Sequence, residues 1–473
     1  MALKMFSGVK HSSLSDAFMT AKSRNYFSVI AIGIAAFFFV RNTQYVKRWE
    51  EPNSPIQWDV ISYYEYLPAI FIYHDWSLSF LDQRPELEGK FWHSDGPDNS
   101  RVIRTSMGMA LLYLPFFTLG HMAAHVLGYS TDGFSDPYEI ALIYGSIIYC
   151  IIGLIILRSI FKRYVSDLAS ALTLLTLALG TNLFYYTTVE GPMAHAWLFM
   201  LYAAFLYYTI RWYESAGSYK YFYACAAIGG IMVLCRPTEI IVLVVIVLCG
   251  VRRFSQVFPH IRNLIFPLPR LLIGVILFVT PFLLQMCYWK SVTGSWLYYS
   301  YQEYGFFFDA PMISDGLFSY RKGWFVYTPA AAFFILGFIL LCRHQRQLFL
   351  PILIWFLIHI YITFSWCIWW YGGSFGMRAL IQGTALLALN MALLYDFAIR
   401  NFRYFFWIIL LGFYFIRLNL FQTRQFLNSL IHWDSMSKEA YWYVFERREM
   451  TRENWTELES YLQAPDYESR TKK

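Results

Sequence analysis

The sequence predicts an all-α polytopic membrane protein with about 11–13 transmembrane helices, each of roughly 20 mostly apolar residues. Three observations predict it. Of the 473 residues, 58% are hydrophobic and only 15% are charged, whereas soluble domains carry about 25% charged residues. Apolar runs recur from end to end, and the mean hydropathy is +0.40. Aromatic residues make up 21% of the chain, and Trp and Tyr favour the membrane–water interface. The net charge of +7 is spread over loop ends. It reads as topology signal or anionic-lipid contact, not as a nucleic-acid surface. The seven cysteines lie in or beside apolar segments without a CxxC pair, so neither a disulfide framework nor a zinc site is indicated.

The apolar segments, in order, are Tyr26–Val40, Thr105–Leu127, Ile140–Leu157, Leu168–Tyr186, Ala194–Trp212, Tyr221–Leu234, Ile240–Val251, Leu271–Trp289, Phe325–Cys342, Leu348–Trp366, Ala379–Tyr395 and Tyr404–Leu420. They divide the chain into a polar segment 1–25 without an evident cleavable signal peptide, a transmembrane domain 26–420 and a polar tail 421–473. The first loop, 41–104, and the central loop, 291–324, are expected outside. Basic loops around Arg158/Lys162/Arg163, Arg211/Lys220, Arg252–Arg270, Arg343/Arg346 and Arg400/Arg403 alternate with charge-poor ones, which puts the basic set in the cytoplasm. One conflict remains. A full crossing at Thr105–Leu127 places the charge-poor loop 128–138 inside, so that segment is either broken, re-entrant or miscounted.

Several polar stretches interrupt this pattern. After Trp58, apolar residues recur at helical spacing (Val60, Tyr64, Leu67, Phe71), which predicts a helix lying along the interface with one face in lipid. Asp59 and Tyr63 share one side of it, and Glu65 lies elsewhere. Asp59 suits a general base for an incoming hydroxyl, or equally a helix-start charge opposing the macrodipole. Arg104, at the start of the second apolar segment, suits a phosphate or simple snorkelling. Glu190 and His195 sit in a polar break near a membrane boundary, where ionisable groups are functional candidates. Arg236, in Cys235-Arg236-Pro237-Thr238-Glu239, is either a phosphate ligand or the internal partner of Glu239. The central loop alternates aromatics with Ser, Gln and Glu, including Tyr299 and Glu303, a composition that suits a sugar. Arg321 and Lys322 follow it, and Arg378 opens the eleventh segment; each adds charge for a phosphate.

The order of these pieces resembles the bacterial GT-C membrane glycosyltransferases, the group that includes protein O-mannosyltransferases and the lipid A aminoarabinose transferase. The likeness rests on the early Asp59, on Thr105-Ser106-Met107-Gly108 to Leu114-Pro115-Phe116-Phe117, on Glu190-Gly191-Pro192-Met193-Ala194-His195, on Arg236-Pro237-Thr238 and on Trp369-Trp370-Tyr371-Gly372-Gly373. It implies a polyprenyl-phosphate-sugar donor, an unspecified protein, lipid or glycan acceptor, and Asp59 as the catalytic acid of the first loop. The chain departs from the group's pattern in lacking a second acid after Asp59 and a His-Pro-Pro-like start to the second segment. The expected protein is thus a glycosyltransferase of the bacterial inner membrane. Asp59 is its catalytic residue, and Arg104, Arg236, Arg321, Lys322 and Arg378 hold the donor phosphate. Tyr63, Glu65, Glu190, His195, Tyr299 and Glu303 line the sugar and acceptor pocket. No cofactor or metal ligand set is indicated, although a divalent cation is compatible with the chemistry. The alternatives are a transporter or flippase of a lipid-linked sugar and an inactive scaffold of a glycan-assembly complex.

Overall fold

The computed structural model describes residues 26–51, 54–215, 218–263, 267–301 and 304–467. Every apolar segment is helical. The helices are α1 (Tyr26–Val46), α2 (Asp59–Tyr64), α3 (Tyr66–Phe71), α4 (Gly108–Leu127), α5 (Asp136–Phe161), α6 (Asp167–Leu179), α7 (Leu183–Thr188), α8 (Ala194–Glu214), α9 (Tyr219–Cys235), α10 (Leu243–Leu248), α11 (Val257–Asn263), α12 (Leu268–Thr293), α13 (Ile313–Phe318), α14 (Trp324–Tyr327), α15 (Ala331–His344), α16 (Arg346–Ser365), α17 (Thr384–Arg400), α18 (Phe402–Leu427), α19 (Lys438–Val444) and α20 (Arg452–Tyr461). Among the described residues, six helices are long and apolar enough to cross a membrane: α1, α4, α5, α12, α16 and α18. One two-stranded sheet, β1 (His93–Asp95) antiparallel to β2 (Arg101–Ile103), lies in the first loop.

Long-range hydrogen bonds sort the helix ends into two faces. On one face, Arg158 donates to Ser28 at 2.7 Å, Arg163 pairs with Glu214, and the Ser166 amide donates to Asp396 at 2.8 Å. Arg270 covers the Tyr219 ring at 4.1 Å. This is the face of the basic loops. On the other, Thr43 donates to the Thr188 carbonyl at 3.1 Å, the Ile103 amide to Tyr288 at 2.7 Å, and the Phe307 amide to the Ser365 carbonyl at 2.7 Å. The first loop, the central loop, the 366–380 connection and the tail all meet on this loop face.

The conflict at the second apolar segment is resolved by α4. Just before it, Thr105 donates to the Ser62 carbonyl and accepts from Tyr66 through its own carbonyl, both at 2.7 Å. Just after it, the Gly133 carbonyl accepts from Tyr64 at 2.5 Å and Lys90 meets Asp132 at 2.8 Å. Both ends of α4 are therefore bonded to the first loop, and the chain starts and finishes this helix on the loop face. Pro115 and Gly120 do not break it.

Two expectations are corrected, and the polar tail 421–473 is found to be partly helical. The single helix at 59–74 is two short helices that meet at Glu65. They do not lie with one face in lipid, because Val60, Ser62, Tyr63, Tyr64, Glu65, Tyr66, Leu67, Pro68 and Ala69 are all buried. The fourth segment, Leu168–Tyr186, is interrupted at Gly180-Thr181-Asn182, where Asn419 of α18 donates to the carbonyls of Leu179 and Thr181 at 2.8 Å each. The tail is not loose polar chain. Its first residues complete α18, and Leu430, Ile431, Ala440, Tyr441 and Val444 are buried against the bundle.

The tail is held by the Arg321-Lys322 pair. Arg321 donates to the Asp434 carbonyl at 2.6 Å. Lys322 is 1% exposed and donates to the carbonyls of Ser374 and Trp433. Burial, reinforced by Arg378 and Arg321 and opposed by Asp434, pushes its ammonium down to about 7. The folded protein thus releases this proton near pH 7, whereas the unfolded chain keeps it to the ordinary value of 10.5. Stability should therefore rise with pH between those limits. The thermal midpoint of detergent-purified protein should climb from about pH 7 to about pH 9, and Lys322→Met should remove that climb. A second expectation concerns Gly108, where a Cβ would run into the backbone of Leu234 and Cys235. Gly108→Val should cost about 1–3 kcal/mol of stability, read as a lower melting midpoint.

Candidate active site

The site begins at Asp59, the first residue of α2. Its carboxylate lies on the loop face with Oδ2 held by Arg378 Nη2 at 2.8 Å. The side chain of Arg378 is 16% exposed and that of Asp59 37%, so the pair is partly open to the loop face. Arg378 is aimed by the 366–380 connection. Gly376, at φ 60°, takes a left-handed turn that suits glycine; its carbonyl accepts from the Arg378 amide at 3.0 Å. The Phe375 amide donates to Tyr186 at 3.0 Å, tying the same turn to α7.

Two more arginines face this pair. Arg236 follows the end of α9, where Pro237 stops the α-helix and the chain continues as a 3-10 turn, Pro237–Val242. Its guanidinium lies against Tyr63 and Tyr371. Of the two readings of Arg236, the direct pair with Glu239 is not formed: Glu239 is taken by Tyr202 and by Gln382, the latter at 3.1 Å. Arg104 stands at the end of the hairpin, over the rings of Tyr304, Trp92 and Tyr301 at 4.8, 5.4 and 5.8 Å. Its Nε is buried without a hydrogen-bond partner. Among the described residues it has no carboxylate in ion-pair range, in contrast to Arg378.

Tyr301 marks the centre. Burial pushes its phenol well up; Tyr63 and Asp59 add to the shift, and Arg236 and Arg104 oppose it. One hydroxyl thus feels the field of Asp59, Tyr63 and two of the arginines. Below it runs a buried polar chain. His195, fully buried, shares a 3.1 Å hydrogen bond with Gln382, which continues to Glu239 and Tyr202. The other ring nitrogen of His195, Nε2, has no partner. Glu190 is 3.6 Å from Arg48. Burial raises its carboxyl, while Arg48 and Arg378 pull it down.

The structure therefore brings together Asp59, Tyr63, Arg104, Arg236 and Arg378, with His195 and Glu190 behind them. Other candidates lie apart. Glu65 is buried inside the first loop, where it accepts from the Trp92 amide at 2.8 Å and burial raises its carboxyl well above the usual range. Tyr299 is 57% exposed and donates to the Tyr304 carbonyl at 2.6 Å. Arg321 and Lys322 are occupied with the tail. Glu303 lies outside the described residues. Sequence reasoning did not single out Tyr301, Tyr371, Tyr186 or Gln382. The aromatic density of the central loop was the signal for the first, but the turn at Ser300-Tyr301 that selects Tyr301 over Tyr299 carries no local mark.

Among the described residues, no group of three His, Cys, Asp or Glu side chains could hold a metal ion. Asp59 is paired with Arg378, and Arg236 and Arg104 act on the same surroundings, so this cluster favours an anion over a cation.

Comparison with known proteins adds the following. No curated protein matches the chain. Two solved structures are similar: an archaeal oligosaccharyltransferase AglB from Archaeoglobus fulgidus in complex with an inhibitory peptide and a dolichol-phosphate, and an Archaeoglobus fulgidus oligosaccharyltransferase in the apo form. Each is 12% identical over 96% of this chain; the TM-scores are 0.49 and 0.48. The chain spans only 61% and 62% of their lengths. Residues 120–284, from the middle of α4 into α12, match the family of dolichyl-phosphate-mannose-protein mannosyltransferases. That stretch contains Glu190, His195 and Arg236 but stops short of Asp59, Arg104 and Arg378. The resemblance to the GT-C membrane glycosyltransferases seen in the sequence is thus met, over residues 120–284, by the dolichyl-phosphate-mannose-protein mannosyltransferase family.

Proposed function

We propose that this protein is a membrane glycosyltransferase. It moves a sugar from a polyprenyl-phosphate-linked donor to a hydroxyl acceptor on the non-cytoplasmic face of the bacterial inner membrane. The observation that carries the reading is the part-exposed Asp59 carboxylate paired with Arg378, in surroundings whose charge Arg236 and Arg104 also set. Transfer needs a base for the acceptor hydroxyl and positive charge for the departing phosphate, and these residues supply both. The face follows from the basic loops at the opposite end of the bundle.

In this reading, Arg378 holds one oxygen of Asp59, and the other oxygen takes the acceptor proton. The acceptor oxygen attacks the anomeric carbon as the bond from that carbon to the phosphate oxygen breaks. The electron pair leaves with polyprenyl phosphate, and the configuration inverts. Arg236 and Arg378 flank the growing charge in a partly dry site, where fixed donors count for more than in water. Arg104, free of a carboxylate and caged by rings, is the arginine most available to the donor phosphate. Tyr63 and Tyr301 present hydroxyls to the sugar. Any divalent cation would have to be brought by the substrate phosphate, given the donor set around Asp59.

Two measurements test this. Purified enzyme should release polyprenyl phosphate from one member of a panel of polyprenyl-phosphate sugars when supplied with hydroxyl acceptors. Asp59→Asn should slow that release by about 10²–10⁴-fold while donor binding persists. Turnover that survives the substitution would remove Asp59 as base. Donor binding without turnover under every acceptor would favour a transporter. Arg104→Gln should lower kcat/KM for the donor by about 10- to 150-fold, the value of a charge-assisted hydrogen bond. It should leave the melting midpoint nearly unchanged, because no ion pair is broken.

A further inference from the structure

A large cavity on the loop face is separate from Asp59. It lies between the end of α1, the last third of α18 and the tail, with a volume of about 560 Å³. Arg41, Arg417, Arg424 and Arg448 line it, with Glu449 as the one acid among the lining residues. Among the described residues no ion pair neutralises any of the four arginines. They also lie at the end of the bundle opposite the basic loops. Arg417 and Arg424 are seven residues apart, so they share one side of α18. Arg417 lies roughly 15 Å back along the helix from Leu427, at 1.5 Å per residue. The α18 surface around it, Phe413 and Tyr414, is exposed and apolar. An unpaired guanidinium at that depth is costly and calls for an anion. Phe38, Phe184, Leu420 and Phe421 give the wall an apolar strip suited to a hydrocarbon chain, and Asn42, Tyr45, Gln425 and Asn428 complete it with polar groups.

We propose that this groove binds an anionic phospholipid, with the headgroup phosphate among the four arginines and an acyl chain along Phe38 and Phe421. Two features favour a lipid over a soluble anion: three of the four arginines, Arg41, Arg417 and Arg424, sit on the membrane helices α1 and α18, and an apolar strip of Phe38, Phe184, Leu420 and Phe421 runs beside them. The surplus of positive charge favours a net anionic headgroup over a zwitterionic one. The proposal does not depend on the transferase reading.

The test is native mass spectrometry of the full chain released from nanodiscs holding equal amounts of phosphatidylglycerol and phosphatidylcholine. Wild type should retain phosphatidylglycerol preferentially. The double substitution Arg417→Gln/Arg424→Gln should weaken that preference by about fivefold per arginine, the value of roughly 1 kcal/mol per charge near an anionic surface. The Arg417→Lys/Arg424→Lys variant should keep most of it, which separates lost charge from lost folding. Asp59→Asn should retain lipid like wild type. Equal retention of the two lipids, or unchanged preference in the double Gln variant, would mean the arginines merely snorkel and would overturn the proposal. So would release of the lipid by millimolar inorganic phosphate, the mark of a soluble-anion site.

Discussion

The loop face depends on one ion pair. Asp59 and Arg378 are 319 residues apart in sequence and 2.8 Å apart in space. The contact joins α2, in the first loop, to the turn that precedes α17, and it fixes the distance between them. Breaking a buried pair by removing one partner costs about 3–5 kcal/mol. Here the figure is smaller, since Asp59 is 37% exposed and water screens it. What the pair supplies is therefore geometry more than stability: it holds one carboxylate oxygen and leaves the other outside the pair.

The same logic explains the buried polar chain beneath. Arg236 can stand at the end of α9 only because Pro237 stops the helix there. The charge it brings would be costly in an apolar bundle without compensation. Glu239 supplies the opposite charge from nearby without capping the guanidinium, because Tyr202 and Gln382 occupy its oxygens. Arg236 is thus neutralised at a distance and keeps its donors toward Tyr63. Had Glu239 paired with it directly, the fork would be spent. His195 extends the chain on the other side of Gln382, leaving Nε2 as a buried polar atom with no partner. A buried group in that state has an unmet demand for a hydrogen bond.

The helices were legible because apolar runs of span length have few other readings, and each of the predicted segments is helical. Breaks inside spans were harder: Gly180-Thr181-Asn182 splits one segment because Asn419, far along the chain, satisfies the freed carbonyls. Among the site residues, Asp59, Arg104, Arg236 and Arg378 stood out as charges at the edges of apolar runs, and they converge. The same criterion also picked Arg321 and Lys322, whose partners are carbonyls of the tail. Sequence carries no sign of which long-range carbonyl a cation will meet. Glu65 and Tyr299 were misplaced for a local reason. The helix breaks at Glu65, which turns its side chain into the loop, and in the turn at Ser300-Tyr301 it is Tyr301 that meets the Arg104 guanidinium.

The position of α4 ties these observations together. Because both its ends are bonded to the first loop, residues 41–135 stay on one face and form a single layer over the bundle. From α5 onward the chain alternates faces, so the central loop, the 366–380 turn and the tail come to that same layer. Had α4 crossed, each of these pieces would have been sent to the opposite face, and Asp59 would have met neither Arg236 nor Arg378. The charge distribution agrees: basic loops gather where no site residue lies. Of the arginines on the loop face, Arg48, Arg84 and Arg101 are held within the loops by Glu190, Tyr73 and Asp82, and others turn to the site, to the tail or to the groove beside α18. Positive charge on the loop face is therefore specific, placed where a partner or an anion can be met.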